Sequence, residues 1–190
     1  MKKEYLIKGI WFFAIFLLIY TIVNMLSIGR SYFHFAFAFE ETMKVIPVFL
    51  IFYVSSYIII AMPFFVLKRS YEIRKLVYVY WTIAIISFII FLLIPAKVVR
   101  PVVIDGFFAW VLNTFWTYFD LPYNSLPSLH ISLSFAAAYL MRKHLNFVYL
   151  LLWVLLIAIS TILTKQHYIL DIVTGLALSI LVLSLFRKEP

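Results

Sequence analysis

The chain contains no cysteine, few charged residues and no internal repeat or linker. The absence of cysteine excludes disulfides, thiolate metal sites and a cysteine nucleophile. Charged residues make up 13% of the sequence, against about 25% in a soluble domain, while hydrophobic residues make up 66%. This balance predicts an integral membrane protein that forms one domain over residues 1–190.

The excess of positive charge does not indicate nucleic-acid binding. Lysine and arginine outnumber acidic residues 16 to 8, giving a net charge of +8. The basic residues cluster in short loops between apolar runs, which is the pattern that sets orientation in a membrane. We therefore expect membrane lipids, and not nucleic acid, as partners.

Six apolar segments predict an all-α bundle of six transmembrane helices. A helix needs about 20 apolar residues to cross the hydrocarbon core. The segments are approximately 9–28, 45–67, 76–96, 127–141, 147–164 and 168–186. The fourth is short and begins at Pro127-Ser128, where Ser128 is expected to cap a helix.

The distribution of lysine and arginine predicts which loops face the cytoplasm. With six spans, one side of the membrane carries 11 of the 16 basic residues, so the positive-inside rule makes that side cytoplasmic. Both termini are then predicted to be cytoplasmic, and the membrane is predicted to be the cell membrane. The other side carries Arg30, Lys44, Lys97, Arg100 and Lys165.

The segment 102–119, between spans three and four, is predicted to be an interfacial amphipathic helix. Its larger apolar residues share one helical face, which suits a helix that lies in the membrane interface. A seventh span here would instead separate the histidine motifs from Lys97 and Arg100. The apolar face comprises Phe108, Leu112, Phe115, Trp116 and Phe119.

Polar residues from three separate segments meet at the extracytoplasmic face under this topology. An ionisable residue at membrane depth is a functional-site hypothesis by default. The residues are Lys97 and Arg100 after span three, Ser128 and His130 at the start of span four, and Lys165, His167 and Asp171 at the start of span six.

These residue types fit phosphoryl chemistry. The i,i+4 spacing of His167 and Asp171 is expected to place both side chains on one helix face. A carboxylate fixes the imidazole tautomer and leaves the other nitrogen as a base or nucleophile, and His130 can then act as general acid. Positive charge from Lys97, Arg100 and Lys165 would bind phosphate, with Ser128 and backbone N–H groups as further donors.

Two other interpretations use the same residues. Each feature alone also fits a structural role, as a helix cap, an ion pair or a lysine reaching lipid headgroups. The two histidines and the carboxylate could also hold zinc or iron, but nearby cations disfavour a metal ion. We therefore predict no metal and no cofactor.

The three segments resemble the motifs of the type 2 phosphatidic acid phosphatase superfamily, whose pattern is K-x6-RP, PSGH and SR-x5-H-x3-D. The matching residues are Arg100-Pro101, Pro127-Ser128-Leu129-His130 and His167-x3-Asp171. The resemblance covers about Lys97 to Gly175. Members of this superfamily are typically six-helix membrane enzymes that use no metal.

The resemblance implies roles for single residues. His167 would be the nucleophile that becomes phosphohistidine, with Asp171 orienting it and His130 protonating the departing alcohol. Arg100 and Ser128 would hold the phosphate.

The chain departs from the family pattern at three positions. The motif lysine would fall at Leu93, the motif glycine at Leu129 and the motif arginine at Thr161. Lys97 is then a displaced substitute for the lysine, and Lys165 is a candidate to replace the arginine.

Three functions follow as expectations. The first is a metal-independent phosphohydrolase of lipid phosphates or pyrophosphates. The second is a lipid phosphotransferase, because Pro-Ser-Leu-His and Thr-Lys-Gln-His-Tyr are similar to the branch with inositol phosphorylceramide synthases. The third is a transporter or binding protein for anionic lipids, in which His167 would be dispensable.

Overall fold

The computed structural model describes residues 2–101, 106–118 and 121–187. Within these ranges the chain is helical, with no β-strand, so the predicted all-α class is confirmed there. The α-helices are α1 (Lys2–Ser27), α2 (Ala38–Thr42), α3 (Leu50–Ala61), α4 (Pro63–Val66), α5 (Ser70–Leu93), α6 (Phe107–Tyr118), α7 (Leu129–Met141), α8 (Phe147–Leu163) and α9 (Ile169–Leu185).

Three stretches in the first half of the chain are long and apolar enough to cross a membrane, namely Ile7–Ser27, Pro47–Val66 and Ser70–Leu93. The other three predicted spans form shorter apolar helices, α7 with 13 residues and α8 and α9 with 17 each. At about 1.5 Å per residue α7 is about 20 Å long, which is less than the roughly 30 Å of hydrocarbon core. Six complete crossings therefore remain a prediction.

Proline divides the second predicted span into pieces. A 3-10 turn at Pro47–Phe49 leads into α3, and α4 begins at Pro63. Proline has no backbone N–H and is favoured in the first turn of a helix, so Pro63 starts a new helical segment. The two helices are linked through Met62, whose N–H donates to the carbonyl of Ile58 at 2.9 Å and whose carbonyl accepts the Val66 N–H at 3.1 Å.

Helix α7 occupies the centre of the bundle, where it packs against α3, α5, α8 and α9. Three consecutive alanines, Ala136–Ala138, are fully buried along it. Small residues let helix backbones approach closely, which is how helices associate in membranes. A 13-residue helix surrounded by other helices does not itself need to match the thickness of the membrane.

The outer faces of α1 and α8 are strongly apolar. Trp11, Leu17, Leu18 and Met25 on α1 are each more than 60% exposed, and α8 exposes Val148 and Tyr149 to a similar extent. Apolar patches of this kind are unfavourable in water and are expected where helices face lipid.

The loops at one end of the bundle are joined by backbone hydrogen bonds. The N–H of Phe33 donates to the carbonyl of Pro95 at 2.8 Å, and that of Val98 donates to Pro122 at 3.0 Å. At the opposite end, His144 contacts Glu72. The three predicted motifs meet at the first of these ends, where Arg100 contacts Gln166 and His130 contacts His167.

Helix α6 packs over the start of α3 at the motif end. Its buried Leu112 and Trp116 form a cluster with Leu50 and Tyr53. The predicted amphipathic segment is helical over Phe107–Tyr118, and residues 102–105 and 119 lie outside the described ranges. Phe108, predicted on the apolar face, is 39% exposed. An interfacial position for α6 stays a prediction.

Candidate active site

A tight turn between α8 and α9 presents the third motif. The N–H groups of Gln166 and His167 both donate to the carbonyl of Thr161, at 2.8 and 3.2 Å. Lys165 lies in the left-handed region with φ of 50°, which is uncommon for a residue other than glycine. The turn buries His167, whose exposure is 7%.

His167 and Asp171 are in contact, but not as two residues on one helix face. Helix α9 begins at Ile169, so His167 precedes it, and Tyr168 is its extended N-cap residue. Asp171 Oδ2 accepts the Tyr168 N–H at 2.9 Å and lies 3.4 Å from His167 Nδ1. The carboxylate reaches His167 because it folds back to satisfy an unpaired N–H at the helix start.

His130 reaches the same imidazole from the first turn of α7. Its Nδ1 lies 3.3 Å from His167 Nε2, and its Nε2 lies 3.5 Å from the Tyr57 hydroxyl. A carboxylate only accepts hydrogen bonds, so Nδ1–H of His167 faces Asp171 and its Nε2 is left as an acceptor. His130 Nδ1 is then the donor to His167, and His130 Nε2 accepts from Tyr57.

The second and third motifs are held together by a close helix approach. The Ser128 N–H donates to the carbonyl of Asp171 at 2.9 Å. A Cβ atom on Gly175 would lie 2.5 Å from the Ser128 carbonyl oxygen, a distance that only glycine avoids. Ser128 also accepts from the Ile131 N–H at 3.4 Å, so the predicted N-cap is confirmed. Its predicted phosphate contact stays a prediction.

Arg100 is anchored against the third motif. Its guanidinium donates to Gln166 Oε1 at 2.6 Å and to the Lys165 carbonyl at 3.3 Å. The same group lies 5.4 Å from the ring of Trp116 on α6, within the range of a cation–π contact. Helix α6 therefore covers the predicted phosphate-binding arginine.

The two predicted lysines are placed differently from Arg100. Lys97 Nζ lies between two tyrosine rings, 4.7 Å from Tyr32 and 5.2 Å from Tyr123. Lys165 is buried, and its ammonium donates to the Glu40 carbonyl. Burial lowers the pKa of Lys165 below its ordinary 10.5, while the carboxylates of Glu40 and Glu41 act in the opposite direction. Phosphate binding by either lysine stays a prediction.

Glu40 is a buried acid that the sequence did not suggest. It is 1% exposed in the short helix α2. Its carboxylate accepts the Ile169 N–H at 2.7 Å and the Phe37 N–H at 2.9 Å. Glu40 thus supports the start of α9 beside His167, and its presence in a chain with only eight acidic residues is the signal that could have revealed it.

A cavity of about 260 Å³ opens beside the two histidines. Its polar lining includes Arg100, His130, Gln166 and His167, together with Asn124 and Ser125. Asp171 stands behind His167 rather than on the wall. The remainder is mostly apolar and is enclosed chiefly by α1, α3 and α7, with Phe12, Phe13, Phe16, Leu17, Tyr20, Tyr57, Ile60, Leu129 and Leu133 on its walls.

Among the described residues, no three histidine or acidic side chains group together as ligands for a metal ion. His130, His167 and Asp171 instead form a line, with His167 in the middle. This arrangement directs one nitrogen of His167 to a carboxylate and the other to a proton donor. It suits a nucleophile or base better than a metal ligand.

A family model described as the PAP2 superfamily matches residues 29–185 of the 190-residue chain. The chain therefore belongs to the PAP2 superfamily, and the superfamily resemblance of its motifs is confirmed. Members are typically phosphatases or phosphotransferases, so the protein is an enzyme of that broad kind. The apolar helices and the family together indicate a membrane protein. No match was found among curated proteins, and none among solved structures.

Proposed function

We propose that the protein is a metal-independent lipid phosphate phosphohydrolase that works through a phosphohistidine intermediate on His167. The observation that supports this most is the line of Asp171, His167 and His130 at the polar end of an otherwise apolar cavity. A nucleophile held between an orienting carboxylate and a proton donor is the arrangement that covalent phosphoryl transfer requires.

In the first step, His167 Nε2 attacks phosphorus and the bond from phosphorus to the lipid oxygen breaks. When substrate is bound, His130 carries a proton on both ring nitrogens, with Nε2–H facing the Tyr57 hydroxyl. It gives its Nδ1 proton to the departing oxygen and is left neutral. Because phosphorus cannot fit between nitrogens 3.3 Å apart, the two rings separate when substrate binds. Asp171 stabilises the positive charge that develops on His167, and Arg100 contacts the non-bridging oxygens.

In the second step, water attacks the phosphohistidine. His130 Nδ1 accepts a proton from the water, and the bond from phosphorus to His167 Nε2 breaks with its electron pair returning to the nitrogen. Inorganic phosphate leaves and both histidines return to their starting protonation states. No metal ion is needed for either step.

The shape of the cavity supports a lipid substrate. Its lining follows α1 from Tyr20 to Phe12, which corresponds to about 12 Å along a helix axis. An amphiphile with its phosphate at Arg100 and His167 would place its first apolar carbons along this wall. We place the site on the extracytoplasmic side of the cell membrane, because the opposite end of the bundle holds the basic loops around Lys68 and Arg142.

A second candidate is transfer of a phosphoryl headgroup to another lipid, as in inositol phosphorylceramide synthases. The specific observation in its favour is the neutral Gln166 beside Arg100 on the cavity wall. A phosphodiester carries one negative charge and a phosphomonoester carries up to two, so a low positive charge suits the diester. The same phosphohistidine-type step would then end on a lipid hydroxyl instead of water.

The test is release of inorganic phosphate from a panel of lipid phosphates and pyrophosphates by purified protein with excess chelator. We expect release by the wild type and a loss of at least about 10³-fold in His167→Ala. His144→Ala, which removes a histidine at the opposite end, is the matched control and should keep activity. Unchanged release by His167→Ala would refute the phosphohistidine route. Absence of release by the wild type, with transfer to an added lipid alcohol, would favour the second candidate.

A further inference from the structure

Gln166 lies on the cavity wall directly before His167. It is 3% exposed, and its side chain lines the polar part of the cavity with Arg100 and His130. Its backbone is fixed by the hydrogen bond to Thr161. A polar side chain at this depth is expected to have a hydrogen-bond partner for each of its groups.

The orientation of the Gln166 carboxamide is determined by Arg100. A guanidinium group only donates hydrogen bonds, so the atom that it contacts at 2.6 Å is the amide oxygen. The amide nitrogen therefore points the other way. Among the described residues that nitrogen, Nε2, is buried without a hydrogen-bond partner.

An unpaired buried amide costs about 1–3 kcal/mol, so its presence beside the candidate nucleophile requires an explanation. Nε2 offers only N–H donors, and its partner must therefore be an acceptor. The acceptor that the proposed function brings to this position is a phosphate oxygen. A hydrogen bond from a neutral amide to a charged oxygen is among the stronger kinds.

Other side chains that might supply this donor are engaged elsewhere. Thr161, at the position of the family arginine, donates its hydroxyl to the Ala158 carbonyl at 2.8 Å. Lys165, the substitute suggested by the sequence, directs its ammonium to Glu40. Of the polar residues in this turn, Gln166 is the one that both lines the cavity and has a buried donor without a partner.

We propose that Gln166 is a substrate-contacting residue, whose Nε2 donates to a non-bridging phosphate oxygen while Arg100 binds a second one. This inference rests on the proposed function of the site. Gln166 takes the place of the motif arginine and provides a donor without a positive charge. Gln166 and Arg100 thus bind the anion together. The Gln166 amide oxygen accepts a hydrogen bond from Arg100, and its amide nitrogen donates one to the ligand.

The experiment measures binding of orthovanadate, a phosphate mimic, as the rise in melting temperature of the purified protein in detergent. Gln166→Met should weaken vanadate binding about 10- to 100-fold, because a hydrogen bond to a charged group is lost. His144→Ala should bind vanadate like the wild type. Vanadate affinity within about twofold of wild type in Gln166→Met would overturn the proposal.

A double-mutant cycle separates direct contact from support of Arg100. With direct contact, Gln166→Met still weakens vanadate binding when Arg100 is already Lys. If the effect disappears in the Arg100→Lys background, Gln166 acts only through Arg100 and the proposal is wrong. Should Gln166→Met not fold, Gln166→Glu keeps an acceptor for Arg100 but has no amide donor. We then expect a larger loss, because the carboxylate also repels the anion, and vanadate affinity within about twofold of wild type would overturn the proposal.

The binding assay does not depend on turnover. If the wild type binds vanadate through Gln166 yet hydrolyses no lipid phosphate, the proposed hydrolase function fails and the Gln166 contact stands. If lipid phosphate is hydrolysed and Gln166→Met is unaffected in both vanadate binding and KM, the contact fails and the hydrolase stands.

Discussion

Two of the histidine–carboxylate pairs of the protein lie at opposite ends of the bundle, and they differ in what surrounds them. At the motif end, His167 Nδ1 lies 3.4 Å from Asp171. At the opposite end, His144 Nε2 lies 2.8 Å from Glu72. The shorter contact is thus far from the candidate site, and contact length does not distinguish a catalytic pair from a structural one.

The difference lies in how the remaining hydrogen-bonding groups are used. Glu72 accepts the backbone N–H groups of Lys68 and Arg69 at the start of α5 as well as His144. Asp171 Oδ1, by contrast, is buried without a partner among the described residues, and a second histidine faces the other side of His167. We take incomplete hydrogen bonding near the cavity as the feature that distinguishes the candidate catalytic pair.

After loss of His167 itself, the largest effect should come from removing the second histidine, His130, which has no counterpart beside His144 and Glu72. We expect His130→Ala to lower the rate about 10²- to 10⁴-fold, because a general acid is lost. The measurement is the single-turnover rate at which the alcohol is released. In His130→Ala this rate should fall far less for an aryl phosphate, whose leaving group is acidic, than for an alkyl phosphate. Equal losses for the two substrates would show that His130 does not protonate the leaving oxygen.

The two carboxylates provide the direct comparison. Asp171→Asn should lower kcat about 10²-fold or more, because the amide can present an N–H to His167 and favour the wrong tautomer. Glu72→Gln should leave kcat unchanged and lower the free energy of unfolding by about 1 kcal/mol. Steady-state kinetics and thermal unfolding of both variants test this. A similar loss of kcat in both would contradict the distinction between the pairs.

Two glycines at helix contacts test how far the candidate catalytic pair depends on the approach of α9 to α7. Gly175→Ala should destabilise the protein by about 1–3 kcal/mol and lower activity, because its Cβ would meet the rigid backbone of Ser128. Gly9→Ala should lower the free energy of unfolding by a smaller amount. Its Cβ would meet the Phe64 ring at 3.1 Å, and a side-chain ring can shift. Thermal unfolding and activity are measured together. A larger cost for Gly9→Ala would contradict the account.

The smallest effect concerns two adjacent acids. Glu40→Gln should lower activity by less than about tenfold and stability by about 1 kcal/mol, because the support of α9 is weakened. Glu41→Gln, at an exposed residue that contacts His34, should change activity little. Activity and unfolding assays on both variants test whether Glu40, and not its neighbour Glu41, supports the start of α9.

The stability of Glu40→Gln should also depend on pH. Without the Glu40 charge, the pKa of Lys165 falls further below 10.5. A lowered lysine pKa destabilises the folded state at pH values below it, and the penalty fades as pH rises to 10.5, where the unfolded chain also loses its proton. The deficit against wild type should therefore shrink with rising pH. A deficit that is constant up to pH 10.5 would show that Lys165 is not involved.

Much of the architecture could be predicted because it depends on local patterns. Each of the six apolar segments contains helix, and Ser128 caps α7 as its residue type suggested. The predicted contact of His167 with Asp171 is present, although the reason given for it was wrong. The spacing was interpreted as a helix face, whereas His167 precedes α9 and the contact depends on an N-terminal cap.

The details of the site depend on contacts between distant segments, which spacing alone does not reveal. Glu40 lies 129 residues before the Ile169 N–H that it caps, and Lys165 turns toward it because of a left-handed backbone conformation. Gln166 contacts Arg100, which lies 66 residues away. Such partners become visible only when the chain is folded.

The most direct test of the central claim is to locate the phosphoryl group during turnover. Wild type and His144→Ala would be mixed with a lipid phosphate, quenched in alkali, where phosphohistidine survives, and digested for mass spectrometry. The account predicts a phosphoryl group on His167 in both proteins and none in His167→Ala, which also fails to turn over. A phosphoryl group on a different residue, or turnover by His167→Ala at the wild-type rate, would contradict it.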